Sequence, residues 1–398
     1  MITGETLPPP RNTIGPLAWL RENLFSGWVN GLITIALGVI LVLASIEVAR
    51  WALTEARWNV VTDNLRLFLI GQYPGEQSYR PILSLTMLSV LTGISAGAFG
   101  RTTRSLAIAV SSFQLLLAVL VAVSPLGLVP MLALLANAAL GWVGFYAGVR
   151  GLVPSRVLLI AWILSLPITF LLLSGVAGTP LPSVSSNAWG GLLLTVLIAT
   201  VGIALSFPLG VLLALGRRSD LPAVSWLSTT YIEVIRGVPL VTILFLADIM
   251  LPLFLPGEWR LDRVARAMGG VTLFSAAYVA ENVRGGLQAI PSGQIEASQA
   301  LGLNGVQTNL YIVLPQALRA VIPANVGLFI SLLKDTTLIT IIGLMELLGI
   351  GRAVLAQPGS FGASLEVYVF IAAVFFVLCY AMSQASYRLE RVLGVGTR

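Results

Sequence analysis

Histidine is absent from the 398 residues, cysteine occurs once, at Cys379, and lysine once, at Lys334. Without histidine the chain has neither the commonest zinc ligand nor the usual general base, so metal or hydrolytic catalysis starts from a poor position. A single cysteine excludes a disulfide within the chain, and Cys379, set in an apolar run, reads as a small apolar helix residue. Charge is scarce too, at 10% of residues. The 23 basic and 17 acidic side chains are scattered between apolar runs, not gathered on one stripe, which argues against nucleic-acid binding. There is no G-x-x-x-x-G-K-[ST] nucleotide loop either, since leucine, not glycine, precedes Lys334.

Apolar residues make up 57% of the chain and the mean hydropathy is +0.92. A water-soluble fold has too little interior to hide that much apolar surface. The apolar residues come in long blocks: Trp28 to Ile46 and Val157 to Asn187 contain no charge at all. At about 1.5 Å per residue, blocks of some 18 residues or more match a hydrocarbon core of roughly 30 Å. Candidate spans lie near 29–46, 82–99, 105–123, 127–149, 157–174, 189–216, 237–256, 267–284, 312–333 and 364–384. The expected fold is therefore all-α, a polytopic membrane protein of about ten helices.

Residues 1–28 are polar, with prolines at 8, 9 and 10, and have no short apolar stretch ending in a small-residue cleavage site. They read as a cytoplasmic tail, not a signal peptide. With the N-terminus inside, the short inside loops hold Arg101 and Arg104, Arg150 and Arg156, and Arg217 and Arg218, while the outside links near Ser124–Pro125 and at 175–188 hold no Lys or Arg. That asymmetry places both termini in the cytoplasm. Two outside links run against it, 47–80 with four arginines partly balanced by acids, and 257–266 with Arg260, Arg263 and Arg266.

The Gly-, Pro- and Ser-rich stretch 175–188 divides the chain into a region of about five spans, 29–175, and a second of about five, 188–390. Ionisable groups inside or beside spans fall in the second region: Glu233, Arg236, Asp248, Glu281, Arg284, Lys334 and Asp335. A charge near hydrocarbon costs several kcal/mol unless it faces protein or water, which makes these functional candidates. Competing structural roles exist for most of them. Glu233 has Arg236 three residues on and Glu281 has Arg284, the helical pairing distance; Lys334 and Asp335 suit a subunit interface, and Thr336 and Thr337 suit helix caps. Gly237-Val238-Pro239 breaks a helix at the start of a span, either as a hinge or as a packing bend.

The least membrane-like stretch of the second half runs from 284 to 323. Pro291 and Ser292 supply a helix start and Gly302 and Gly305 a stop, which predicts a rod of about three turns. Its small residues Ala297, Ser298 and Ala300 let another surface approach the backbone, beside the polar Glu296 and Gln299. A short rigid helix between two spans transmits a push from a soluble partner.

Glu296-Ala297-Ser298, then Gly302, then Ile312-x-Leu314-Pro315 resembles the EAA loop of bacterial ABC importer permeases, with Ser298 in place of the second alanine. Residues 190–219, 231–245, 276–294 and 332–344 further resemble the polar amino acid uptake permeases, a likeness that extends from 190 to roughly 385. The N-terminal half is similar to the extra membrane region of the longer general and neutral amino acid permease subunits. This resemblance implies a type I ABC importer permease core of about five helices, preceded by about five extra ones. It implies that a coupling loop at about 285–318, with Glu296, Ala297, Ser298, Gly302, Leu314 and Pro315, docks on an ATPase, and that Gly302 turns the chain back toward the membrane. It also implies two ATPase subunits that hold ATP and magnesium, a second and different permease, and a periplasmic amino-acid-binding protein; no cofactor belongs to this chain.

An amino acid zwitterion needs polar groups at membrane depth. Glu233, Asp248, Glu281 and Asp335 are candidates to face its ammonium, Arg236 and Lys334 its carboxylate, with Thr336 beside them. The competing function is an ATP-independent channel or secondary transporter, for which inverted internal repeats are expected and none is visible. A membrane-embedded enzyme lacks a nucleophile with a base, or a ligand cluster.

Overall fold

The computed structural model describes residues 15–100, 104–176, 178–254, 256 and 261–394. The proline run at 8–10, most of the polar tail, Arg101 and Arg260 lie outside the described residues. All ten apolar segments are helical. In chain order the main helices are α1 (Trp28–Arg50), α2 (Tyr79–Ala98), α3 (Arg104–Ala122), α4 (Leu128–Val149), α5 (Ser155–Ser174), α6 (Gly191–Arg217), α7 (Pro222–Gly237), α8 (Leu240–Phe245, continued by a π turn, Leu246–Met250, and an α-helical turn, Leu251–Phe254), α9 (Arg263–Gln288), α10 (Ser292–Ala300), α11 (Leu314–Asp335), α12 (Leu347–Leu355) and α13 (Ser364–Leu393). Among the described residues seven helical stretches are long and apolar enough to cross a membrane, or eight if the bent pair α7 and α8 makes one span. The shortfall from ten has local causes. The apolar part of α3, Ala107–Ala122, is short; α8 is broken from α7; and α9 carries Arg263, Arg266, Glu281 and Arg284.

Residues up to 58 form one unit and residues from 59 onward a second. In the first, α1 buries none of its residues against the unit. A 23-residue apolar helix exposed all round needs lipid or another protein about it. Its end is finished by a π turn, Trp51–Glu55, where the Trp51 and Trp58 rings meet at 5.6 Å.

In the second unit α2 and α4 approach closely because glycines face each other. A Cβ on Gly93 would lie 2.0 Å from the Gly141 carbonyl oxygen, and one on Gly97 2.1 Å from that of Phe145. This is the small-xxx-small logic of helix association in lipid, where backbone proximity and dispersion replace the hydrophobic drive.

The main core gathers Tyr73, Leu173 and Trp189 with Leu194 and Ile198 of α6, Val264 and Val271 of α9, and Leu332 of α11. The Tyr73 hydroxyl donates to the Leu173 carbonyl at 2.9 Å, and the buried Arg80 guanidinium to that of Pro182 at 2.8 Å. The stretch 175–188 thus marks a change in sequence character, while the packing runs across it. A second core joins Ala214 of α6, Ile232 of α7, Val279 and Val283 of α9, and Val313 and Ala317 at the start of α11. It sits directly beside the segment that holds α10.

Pro239 has no N–H to continue α7, and Val238 before it is pushed extended, at φ −111° and ψ 135°. The chain consequently bends by 108° between Pro222–Gly237 and Leu240–Phe254.

Candidate coupling and translocation site

Between α9 and α11 the chain forms a free-standing rod. Helix α10 starts after Pro291, whose extended backbone suits the position before a helix, and runs for 9 residues, about two and a half turns. Of these only Ser298 is buried; Glu296, Ala297, Gln299 and Ala300 are exposed. Ser298 is turned inward, its hydroxyl donating to the Ile295 carbonyl at 2.7 Å and lying 2.9 Å from the Thr308 hydroxyl. It therefore positions the rod against the next turn and offers no surface to a partner. Ser298→Ala leaves the buried Thr308 hydroxyl without that partner, and a loss of about 1 to 2 kcal/mol is expected. Thermal unfolding in detergent checks this; an unchanged midpoint would mean that the two hydroxyls do not tether the rod.

The rod ends at Gly302, which takes φ +79° with open space around it. The Leu303 N–H donates to the Ser298 carbonyl at 3.1 Å, so the left-handed glycine closes the helix by reversing the chain. Asn304 and Gln307 then cap the next turn reciprocally. A π turn, Thr308–Val313, leads into α11, with Leu314 packed against the second core and Pro315 exposed in the first turn, where a missing N–H costs nothing.

The seven path candidates fall into three places. Glu233, Arg236 and Glu281 come together in one ionic knot with Arg217 and Arg284. Glu233 pairs with Arg217 at 2.9 Å and not with Arg236, its neighbour in sequence. Glu281 accepts from Nε of Arg284 at 3.0 Å and also faces Arg236 at 3.4 Å and Arg217 at 3.7 Å. The knot ties α6, α7 and α9 where α7 turns. Arg236 also lies 5.9 Å from the Tyr278 ring centre.

Asp248 sits elsewhere. It is buried in the π turn after α8 and bound by Arg263 at 3.2 Å and Arg266 at 3.3 Å, while Arg266 also donates to its backbone carbonyl. Two guanidiniums from the first turn of α9 thus neutralise it, which locks α8 to α9.

Lys334 and Asp335 end α11 with no ion pair among the described residues, Lys334 exposed and Asp335 half-buried. Thr336 is buried and its hydroxyl donates back to the Leu333 carbonyl at 2.7 Å, so it closes α11 and does not start a new helix. The chain continues from it as a 3-10 stretch, Thr336–Ile342.

Residues 206–391 match the family described as the inner membrane component of binding-protein-dependent transport systems. Over nearly its whole length the chain is similar to YhdY of Escherichia coli K12, an inner membrane amino-acid ABC transporter permease protein, with 35% identity over 98% of this chain and 96% of that one. The chain belongs to this permease family. It is also 37% identical to BztC of Rhodobacter capsulatus, a glutamate/glutamine/aspartate/asparagine transport system permease protein, over 97% of this chain and 95% of BztC. A crystal structure of an amino acid ABC transporter with histidines is 29% identical over 51% of this chain and 92% of that one, at a TM-score of 0.46.

As a binding-protein-dependent permease the chain is an inner-membrane transport subunit and not an enzyme, and ATP is hydrolysed on a separate subunit. The ATP-independent reading falls with that membership. Several residues of the permease escape a reading of spacing alone. Arg217 reads as an orientation marker in the sequence, yet it stands between two carboxylates from α7 and α9. Arg263 and Arg266 read as an anomaly of an outside link, yet they hold Asp248. Thr308 carries no signal in sequence; only folding the chain back at Gly302 brings it to Ser298.

Proposed function

We propose that this permease carries amino acids inward as one half of a transmembrane pair, beside a second permease of different sequence, with two ATPase subunits beneath and a periplasmic binding protein above. The observation that carries the reading is α10: a nine-residue rod with seven of its residues exposed, set between the long helices α9 and α11. The names of YhdY and BztC support amino acids as the cargo. In this reading both termini and α10 face the cytoplasm, Glu296, Ala297 and Gly302 form the docking surface, and ATP and magnesium stay on the ATPase. The extra helices of 29–175 precede the core of 188–390 along the chain.

Of the charged path candidates, Lys334 best suits substrate. The knot at Glu281 and the lock at Asp248 are satisfied internally, whereas the single lysine of the chain projects from the end of a long helix without an ion pair among the described residues. Its ammonium would meet the α-carboxylate that every amino acid presents, with Asp335 near the α-ammonium. Lys334→Gln is expected to cut uptake about tenfold while the ATPase still co-purifies. Uptake at the normal rate in that variant would return Lys334 to a contact between subunits.

The test of the whole reading is uptake competition in cells with and without this gene, one labelled amino acid against each chemical class of competitor. Uptake that depends on the gene and on ATP supports it. Identical amino acid uptake in both strains, or uptake that persists without the ATPase, rejects it.

A further inference from the structure

A groove of about 370 Å³ runs between α3 and α13, away from α10 and from the ionic knots. Taking the ten apolar helical segments as successive crossings, α3 is the third and α13 the tenth, which sets the two in opposite directions. The first turn of α3 therefore lies at the same membrane face as the last turns of α13. At that end the groove is lined by Ser105, Gln384 and Arg388, and toward the middle of the bilayer by Phe113, Leu116 and Val377. The span from Ser105 to Leu116 covers about 16 Å at the helical rise. Charge is thus confined to the membrane face of the groove, while its deeper part is mainly apolar, with the hydroxyls of Ser112 and Tyr380 among the apolar side chains.

Arg388 is exposed and makes no ion pair among the described residues. The nearest carboxylate in sequence, Glu390, lies about 200° round the helix from it and accepts from the Ser386 hydroxyl at 2.7 Å. Arg104, also exposed, opens α3 one residue before Ser105 and adds a second cation to this end. A soluble zwitterion would need a carboxylate for its ammonium beside the guanidinium, and the lining of the groove holds none. An apolar partner helix would leave the Arg388 charge unmatched. The geometry points to a binding site for one anionic phospholipid, its phosphate at Arg388 and one acyl chain laid between Phe113, Leu116 and Val377. Both requirements come from amphiphile chemistry: a basic side chain at headgroup depth attracts the negative charge, and the apolar half shelters the tail.

Native mass spectrometry of the full chain in a neutral detergent tests the site, with dioleoyl phosphatidylglycerol and dioleoyl phosphatidylcholine added in equal amounts. One phosphatidylglycerol should be retained in preference. Arg388→Gln should lower its occupancy about tenfold, Arg388→Lys should keep more than half of it, and Ala109→Trp, which fills the groove, should expel both lipids. The thermal midpoint of each variant in detergent confirms its fold, and if Ala109→Trp does not fold the pair of Arg388 variants decides. Equal retention of the two lipids by the unaltered chain, or undiminished phosphatidylglycerol on Arg388→Gln, overturns the proposal. Loss of phosphatidylglycerol when the chain is purified with its partner chains assigns the groove to a subunit contact and overturns it as well.

Discussion

Glu296→Lys and Gly302→Asp are each expected to leave the permease at its normal level in the membrane while the co-purified ATPase falls at least tenfold and uptake disappears. The reason lies in the geometry of α10. Glu296 is exposed on a rod that packs into its own subunit mainly through Ser298 and the half-buried Ile295, so reversing its charge disturbs nothing within the chain. Any effect must come from what touches the rod. Gly302 acts differently: at φ +79° a side chain costs on the order of 1 kcal/mol, and an aspartate adds charge where the rod turns back. A tenfold loss of partner needs only about 1.4 kcal/mol of binding energy. The measurement is the ratio of ATPase to permease after affinity purification, with membrane level as control. Normal ratios in both variants would sink the docking role of α10.

Glu281→Gln should have the larger effect on the chain itself. Glu281 is the common partner of Arg217, Arg236 and Arg284, and its side chain is only 23% exposed. Removing its charge takes the knot from three arginines and two glutamates to three and one, so the net charge rises from +1 to +2 at the edge of the membrane. Breaking a fully buried pair costs about 3 to 5 kcal/mol; with a quarter of the side chain in contact with solvent, about 2 kcal/mol is expected. Thermal unfolding in detergent should show a clearly lowered midpoint, and adding Arg236→Gln should recover part of it by restoring the balance. If the single variant unfolds at the normal temperature, the three arginines are neutralised from elsewhere. If the second substitution deepens the loss, Arg236 has a duty apart from the knot.

The spans were legible because hydrocarbon imposes a simple demand on sequence, an uninterrupted apolar run of sufficient length. All ten runs became helices, including α9, whose four charges deny it the profile of a free-standing span. The rod at 292–300 was legible for another local reason, a proline before it and a glycine after it. The bend at Gly237-Val238-Pro239 was equally so, because a missing N–H cannot be replaced from a distance.

Side-chain partnership was not legible in the same way. Spacing of three pointed to Glu233 with Arg236, and the fold instead gave Glu233 to Arg217, sixteen residues earlier, because α7 lies across α6. Ser298 belongs to a motif of small residues in the sequence, but the helical rotation of α10 buries it and leaves Ala297 and Ala300 outside. The stretch 175–188 looks like a linker by composition, yet its Pro182 carbonyl accepts from the buried Arg80, and one core joins Tyr73 and Leu173 before it with Leu194 and Ile198 after it.

The amino-acid sequence by itself determined that this chain crosses a membrane many times and where a rod lies between the spans. Both rest on local chemistry: transfer of apolar runs out of water, and backbone torsions permitted to proline and glycine. Only the tertiary structure decided which charges are spent on holding helices together and which, like Lys334 and Arg388, make no ion pair among the described residues. Ion pairing falls off over a few ångströms, and distances between helices are set by packing, which no spacing along one strand of residues records.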